Sequence, residues 1–205
     1  MTVRHWMIFT ALLCWNGGET GRAEAQTLDS LPAIAQCKTQ SQLTTSKGQL
    51  LEYWLARAEQ NDPLATFCLA YVPNHGDPSI SVGWLEKAAI LNVPDAQLLM
   101  GVNYETGALY KQNFAEALSW YRRSAEQDFP FAQYELASIF FQGRAGQTKN
   151  LPESYFWTLL AARHQFLDAL KLQTELERQL ADKEQQKIKK RIAQWKPSFN
   201  RAPRS

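Results

Sequence analysis

The sequence predicts an all-α solenoid of antiparallel helical hairpins. A tryptophan-centred half-motif recurs four times, its period is that of a two-helix unit, and no stretch shows the sustained alternation of a strand. The copies read Trp54-LARAEQNDPLA, Trp84-LEKAAILNVPDA, Trp120-YRRSAEQDFPFA and Trp157-TLLAARHQFLDA. Their tryptophans lie 30, 36 and 37 residues apart (84−54, 120−84, 157−120). In a repeat of this kind each hairpin buries its apolar face against its neighbours, so the fold offers a surface rather than a reaction centre.

Residues 1–25 carry the pattern of a cleavable export signal. Arg4 and His5 precede an apolar run of ten residues from Trp6 to Trp15, and Ala23-Glu24-Ala25 before Gln26 fits a small-x-small cut after Ala25. Ten apolar residues are about half of a membrane-spanning helix. Cys14 follows Leu13 rather than a small residue, which argues against a lipidation site. The expected mature chain is Gln26 to Ser205, 180 residues (205−25), periplasmic or secreted, and one domain by length.

Residues 26–45 form an N-terminal segment, and helical periodicity dominates from about Ser46 through 181, the span of the solenoid. A partial unit at 61–93 has Pro63, Ala65, Leu69, Ala70 and Gly76, then Asp77, Trp84, Ala88 and Ala89. Pro73 must end its first helix early. The clearest unit, 94–129, opens on Pro94, where a first helical turn loses nothing by the missing N–H. Ala96, Met100, Gly101 and Tyr104 follow at helical spacing, Gly107 is a stop, and Ala117, Trp120, Ser124 and Ala125 share a face of the second helix. Unit 130–166 repeats this with Pro130, Ala132, Leu136, Ala137, Phe140 and Gly143, then Asn150, Ser154, Trp157, Ala161 and Ala162. The small residues let antiparallel helices approach closely while the aromatics fill the outer gaps, so Trp84, Trp120 and Trp157 are expected in the core. Leu167 to Leu180 begins like another first helix, and residues 182–205 read as a capping helix with a basic tail.

Charge is unevenly spread. The whole chain is formally +2, but from Asp182 onward eight Lys/Arg face two acids, while residues 26–181 hold twelve basic and sixteen acidic side chains. A short basic tail on a mildly acidic body is not the footprint of a nucleic-acid binder. Ile188 and Ile192 make the tail helix amphipathic, which suits either a capping role or docking on an anionic lipid or cell-wall polymer. In the expected mature chain two cysteines remain. In an exported chain Cys37 and Cys68 read as a disulfide, the alternative being two separate buried thiols.

The patterns A-QLL-M-G-VN-Y-ET-G (96–107) and N-FAE-A-LS-W-YRR-S-A-EQ (113–127) closely resemble the Sel-1-like repeat, a relative of the tetratricopeptide repeat. The resemblance is almost complete at 94–129, good at 130–166, partial at 61–93, and upstream limited to the second-helix half around Trp54. It implies a right-handed α-solenoid and a non-enzymatic protein–protein interaction scaffold. The inner face of such hairpins is lined by first-helix side chains outside the packing pattern. By that mapping the partner-binding residues are Phe67, Tyr71, Leu98, Val102, Glu105, Tyr134, Ser138 and Phe141. The implied partner is a peptide or protein of the cell envelope, held in a groove with aromatic anchors.

No catalytic constellation, cofactor motif or metal-ligand spacing stands out. His75 and His164 have no Cys, His or carboxylate at a ligand spacing, and Asp77 beside His75 is better read as a helix N-cap. Gly143-Arg144-Ala145-Gly146 follows a helix and lacks the lysine step of a phosphate loop; it is the loop between two helices of one unit. Some cysteine-rich members of the resembled family are linked to β-lactam binding or hydrolysis, which makes a cell-wall role the alternative. They place a cysteine pair in each repeat, and units 94–129 and 130–166 here contain no cysteine.

Overall fold

The computed structural model describes residues 31–42, 47–71 and 78–198, which contain ten α-helices and no strand. The export segment with its cut after Ala25, Pro73, the His75–Asp77 turn, Arg201 and Arg204 lie outside the described residues. The chain divides into two compact units, residues 1–112 and 113–205.

The N-terminal unit holds α1 (Pro32–Gln42), α2 (Lys47–Glu59), α3 (Pro63–Tyr71), α4 (Pro78–Ile90) and α5 (Pro94–Thr106). The first of these is a correction, because helical periodicity was expected only from about Ser46. Four of the seven residues from Leu31, just before the helix, to Cys37 are buried: Leu31, Ala33, Ile34 and Cys37. The short run and weak amphipathicity of α1 hide a helix that is held by tertiary contacts. It packs on α3, and the Cys37–Cys68 disulfide joins the two with Cα atoms 5.4 Å apart. In α2, Leu50, Trp54 and Ala58 are buried at i, i+4 and i+8, one helical stripe. Lys87 of α4 donates to the Ala58 carbonyl at 2.8 Å, placing a cation on the C-terminal end of α2.

Asp95 is the unusual group of this unit. It is buried, and one carboxylate oxygen accepts the Ala33 N–H at 3.0 Å from 62 residues away, capping the first turn of α1. Burial raises its pKa despite the hydrogen bonds from Ala33 N–H and its own N–H. A carboxyl whose folded pKa lies above its unfolded value contributes most stability below the unfolded value and loses it as pH rises through the folded one. Asp95→Asn keeps an acceptor oxygen and removes the charge. Its melting temperature relative to the native chain is expected to rise between about pH 3 and about pH 7. A difference that is flat or falls over that range would show that the charge is not penalised.

The C-terminal unit holds α6 (Phe114–Glu126), α7 (Pro130–Gln142), α8 (Leu151–Ala162), α9 (Leu167–Gln179) and α10 (Asp182–Gln194). Helix α8 is its centre and packs on α7, α9 and α10, while α6 packs on α7. Polar ties accompany the apolar core. Ser154 Oγ donates to the Ala137 carbonyl at 2.8 Å, Tyr155 OH to Glu177 at 2.8 Å, and Arg191 to Glu153 at 2.7 Å. The Tyr155 hydroxyl is pushed upward in pKa by burial and then by the Glu177 carboxylate, so it stays a donor. Ile188 and Ile192 of α10 are buried, so its apolar stripe is part of the fold. The chain then returns to α6, where Ser198 N–H donates to the Glu126 carbonyl at 2.7 Å.

The turns explain the period. Asn61, Asn92, Asp128 and Gln165 adopt left-handed backbone (φ 59°, 62°, 65° and 59°), each two residues before a first helix begins. Asn and Asp tolerate that region better than other non-glycine residues, because their short polar side chains bond locally. After α2 and α4 the six-to-one bond of a Schellman end is present, Asp62 N–H to Arg57 O and Val93 N–H to Ala88 O, both 3.1 Å. A buried glutamine then locks the next helix onto the turn. Gln97 Nε2 donates to Ala89 O at 3.0 Å and Asn92 Oδ1 at 3.3 Å; Gln133 Nε2 donates to Ala125 O at 3.2 Å and Asp128 Oδ1 at 3.0 Å. The same device thus stands in each unit, at positions that periodicity of apolar residues alone does not mark.

Candidate functional site

The structure separates the eight mapped partner-binding residues into two groups. In the N-terminal unit Phe67 is 1% exposed, Leu98 5%, Val102 8% and Glu105 4%, so these four are corrected from surface to interior. Phe67 sits beside Cys68, whose disulfide draws α1 onto α3, the helix whose face was expected to be open. Helix α5 is buried at 95–98 and again at 100–103, so it is enclosed around most of its circumference and Leu98 and Val102 have no free side. Only Tyr71 of this set remains half-buried.

In the C-terminal unit all three mapped residues, Tyr134, Ser138 and Phe141, stay half-buried on α7 at i, i+4 and i+7. They share one face of the helix. Phe131, Tyr134 and Leu170 pack against a buried cluster of Ala161, Ala162, Phe166 and Ala169. The ring of Phe166 lies 5.1 Å from Phe131, edge to face, and 5.3 Å from Tyr134. The alanines keep α7, α8 and α9 close enough for the aromatics to form a surface over them. Leu167, next to Phe166 at the start of α9, is 50% exposed. Phe131, Leu167 and Leu170 are the residues that the pattern mapping missed. The signal was available in Phe131-Ala132 and Phe166-Leu167-Asp168-Ala169, where large apolar residues flank the obligatory alanine of each first helix.

Charge surrounds this surface in paired form. Arg144 pairs with Glu135, Lys171 lies 3.2 Å from Asp168, and the Lys149 ammonium stands 5.1 Å from the Phe141 ring centroid. The Tyr134 hydroxyl is pushed up to about 12 by burial first, then by the Asp168 and Glu135 carboxylates. It is therefore a neutral donor on an apolar patch, the amphipathic tip that makes tyrosine a frequent interface anchor.

Of the three tryptophans expected in the core, Trp84 and Trp120 need correction. Trp54 and Trp157 are buried, whereas Trp84 and Trp120 are half-buried. Their rings lie at the edge of the packing and are covered by cations, Lys87 at 5.3 Å and Arg123 at 4.5 Å from the centroids. His164 accepts or donates at 3.0 Å to Asp128, the turn residue that also holds Gln133, which gives it a structural setting. Among the described residues no group of three His, Cys, Asp or Glu could hold a metal ion, and no helix is long and apolar enough to cross a membrane.

Comparisons with known proteins agree with this architecture. The Sel1 repeat profile matches residues 69–93, 94–129 and 130–166. The crystal structure of a Sel1 repeat protein from Oxalobacter formigenes is similar at 28% identity and a TM-score of 0.57, over 61% of this chain and 97% of that one. A second is c5321, a protective antigen present in uropathogenic Escherichia coli strains and displaying an SLR fold. It aligns over 97% of this chain and 44% of its own, at 20% identity and a TM-score of 0.66, and so speaks for the fold alone. No curated protein matches the chain. Sel1 repeats are helical hairpins that generally mediate protein–protein interaction without catalysis. With three successive copies of the repeat between residues 69 and 166, the chain belongs to the Sel1-repeat family.

Proposed function

We propose that the protein is a non-enzymatic scaffold or adaptor of the periplasm or the secreted fraction, and that a peptide or protein partner docks on the α7–α9 face of the C-terminal unit. One observation carries the reading. Half-buried Phe131, Tyr134 and Leu170 form an aromatic–aliphatic surface over a closely packed alanine core, and Phe141 extends it along α7. Such a surface is preorganised, because its rings are fixed from beneath, and little side-chain freedom remains to be lost on binding. The export pattern of residues 1–25 and the Cys37–Cys68 disulfide support an oxidising compartment.

The test uses crosslinking of the full-length chain in cells, followed by affinity measurement with the identified partner. Tyr134→Ala together with Phe141→Ala is expected to weaken that binding by at least about tenfold, the range of an interface anchor. Circular dichroism and melting check that the variant is folded. Undiminished affinity in a folded double variant would remove this face from the interaction.

A further inference from the structure

We propose that helix α10 docks the protein peripherally on an anionic phospholipid surface, through charge alone. Its sequence, DKEQQKIKKRIAQ, places five basic side chains against two acidic ones. Lys183, Lys187 and Lys190 fall at i, i+4 and i+7 and are all exposed, with the Lys187 side chain at 79%. They make one stripe, about 10 Å long at 1.5 Å per residue. Ile188 and Ile192 occupy the opposite side and are buried.

The remaining charges sort by partner. Arg191 is bound to Glu153 at 2.7 and 3.3 Å and lies 3.6 Å over the Phe156 ring, so it serves the fold. Lys189 acts on Glu177, whose pKa is lowered first by the Gln173 hydrogen bond and also by this lysine. Lys187 has only Glu184 at 4.0 Å, a solvent-exposed pair of little energetic weight. Among the described residues Lys183 and Lys190 have no ion-pair partner. The stripe is therefore a positive line on the exposed helix face, with only the weak Lys187–Glu184 pair against it.

Two features favour a lipid surface over an acidic protein. The stripe is all lysine, a point charge on a flexible stem that suits diffuse contact rather than the bidentate geometry of arginine. It also lies opposite the packed side, so the whole line can meet a flat surface at once. Because the isoleucines are occupied, nothing apolar inserts. Binding must then be purely electrostatic and weaken steeply as added salt shortens the Debye length.

The experiment measures sedimentation of the full-length chain with vesicles of phosphatidylglycerol and phosphatidylcholine, and with phosphatidylcholine alone. The triple variant keeps Arg4 and the apolar run at 6–15, so comparing it with the native chain cancels any binding by that segment. Each lysine at an anionic surface is worth about fivefold in affinity. Lys183→Gln, Lys187→Gln and Lys190→Gln together are expected to lower the phosphatidylglycerol-dependent part by about a hundredfold. High salt should abolish it in the native chain. All three positions are exposed, and an unchanged melting curve verifies folding. No phosphatidylglycerol-dependent binding, or binding equal in the triple variant, overturns the proposal. Binding to soluble polyglutamate with none to the vesicles also overturns it and makes the stripe a site for an acidic protein.

Discussion

Serine at both Cys37 and Cys68 is expected to destabilise the N-terminal unit by about 3–4 kcal/mol, the chain-entropy value for a loop of about thirty residues. The bridge spans 31 positions, and both sulfurs are buried between α1 and α3. Without it α1 keeps Ala33 and Ile34 in the core, with Leu31 just before it, and the Asp95 cap on Ala33, a small set of contacts for an eleven-residue helix. Helices of that length are marginal without tertiary support. Urea unfolding should show the lower midpoint for the double variant. Reductant should move the native chain to the same midpoint and leave the variant where it is. A native chain indifferent to reductant would mean that the bridge contributes nothing beyond the packing.

Gly143→Ala is the second large effect, expected to cost about 2–3 kcal/mol. Gly143 ends α7 in left-handed backbone at φ 73°, and a Cβ there would stand 3.0 Å from the Lys149 backbone nitrogen. That nitrogen cannot yield without moving the loop, which is pinned by the Asn150 N–H on the Phe140 carbonyl at 2.7 Å. Gly107, the matching end of α5 at φ 74°, is the internal control. Its Cβ would meet Gln112 Cβ at 3.3 Å, a side-chain contact with some room to adjust. Alanine at 107 should therefore cost about 1–2 kcal/mol, less than at 143. Thermal melts of the two variants decide it; equal losses would show that only the backbone conformation matters and not the approach of Lys149. Because Lys149 stands over Phe141, the 143 variant should also disturb that end of the proposed docking face.

Much of this was legible from spacing. Tryptophan period, prolines at helix starts and glycines at helix ends locate α3 to α9 and the inter-helix loop of 130–166, because each acts through local backbone chemistry. Helix α1 was not legible, since its stability lies in a disulfide and a cap supplied from position 95, both distant in sequence. The mapped residues are accessible on α7, whereas those on α3 and α5, Tyr71 apart, are buried. A repeat register says which way a side chain points, and it is silent on what later covers it. Phe67 is buried on α3, which packs on α1, α2 and α4, whereas Tyr134 stays half-buried beside Phe131 and Leu170. The turn-locking Gln97 and Gln133 escaped notice because a buried amide looks like any polar residue until its carbonyl partner is seen.

The most direct measurement places a photo-crosslinking benzoylphenylalanine at position 134 of the full-length chain in cells, and separately at Arg122, an exposed residue of α6 outside the proposed face. A docking surface on α7 and α9 predicts a discrete protein adduct from position 134 and none from position 122. No adduct from 134, or the same adducts from both, would contradict the assignment of this face to a partner.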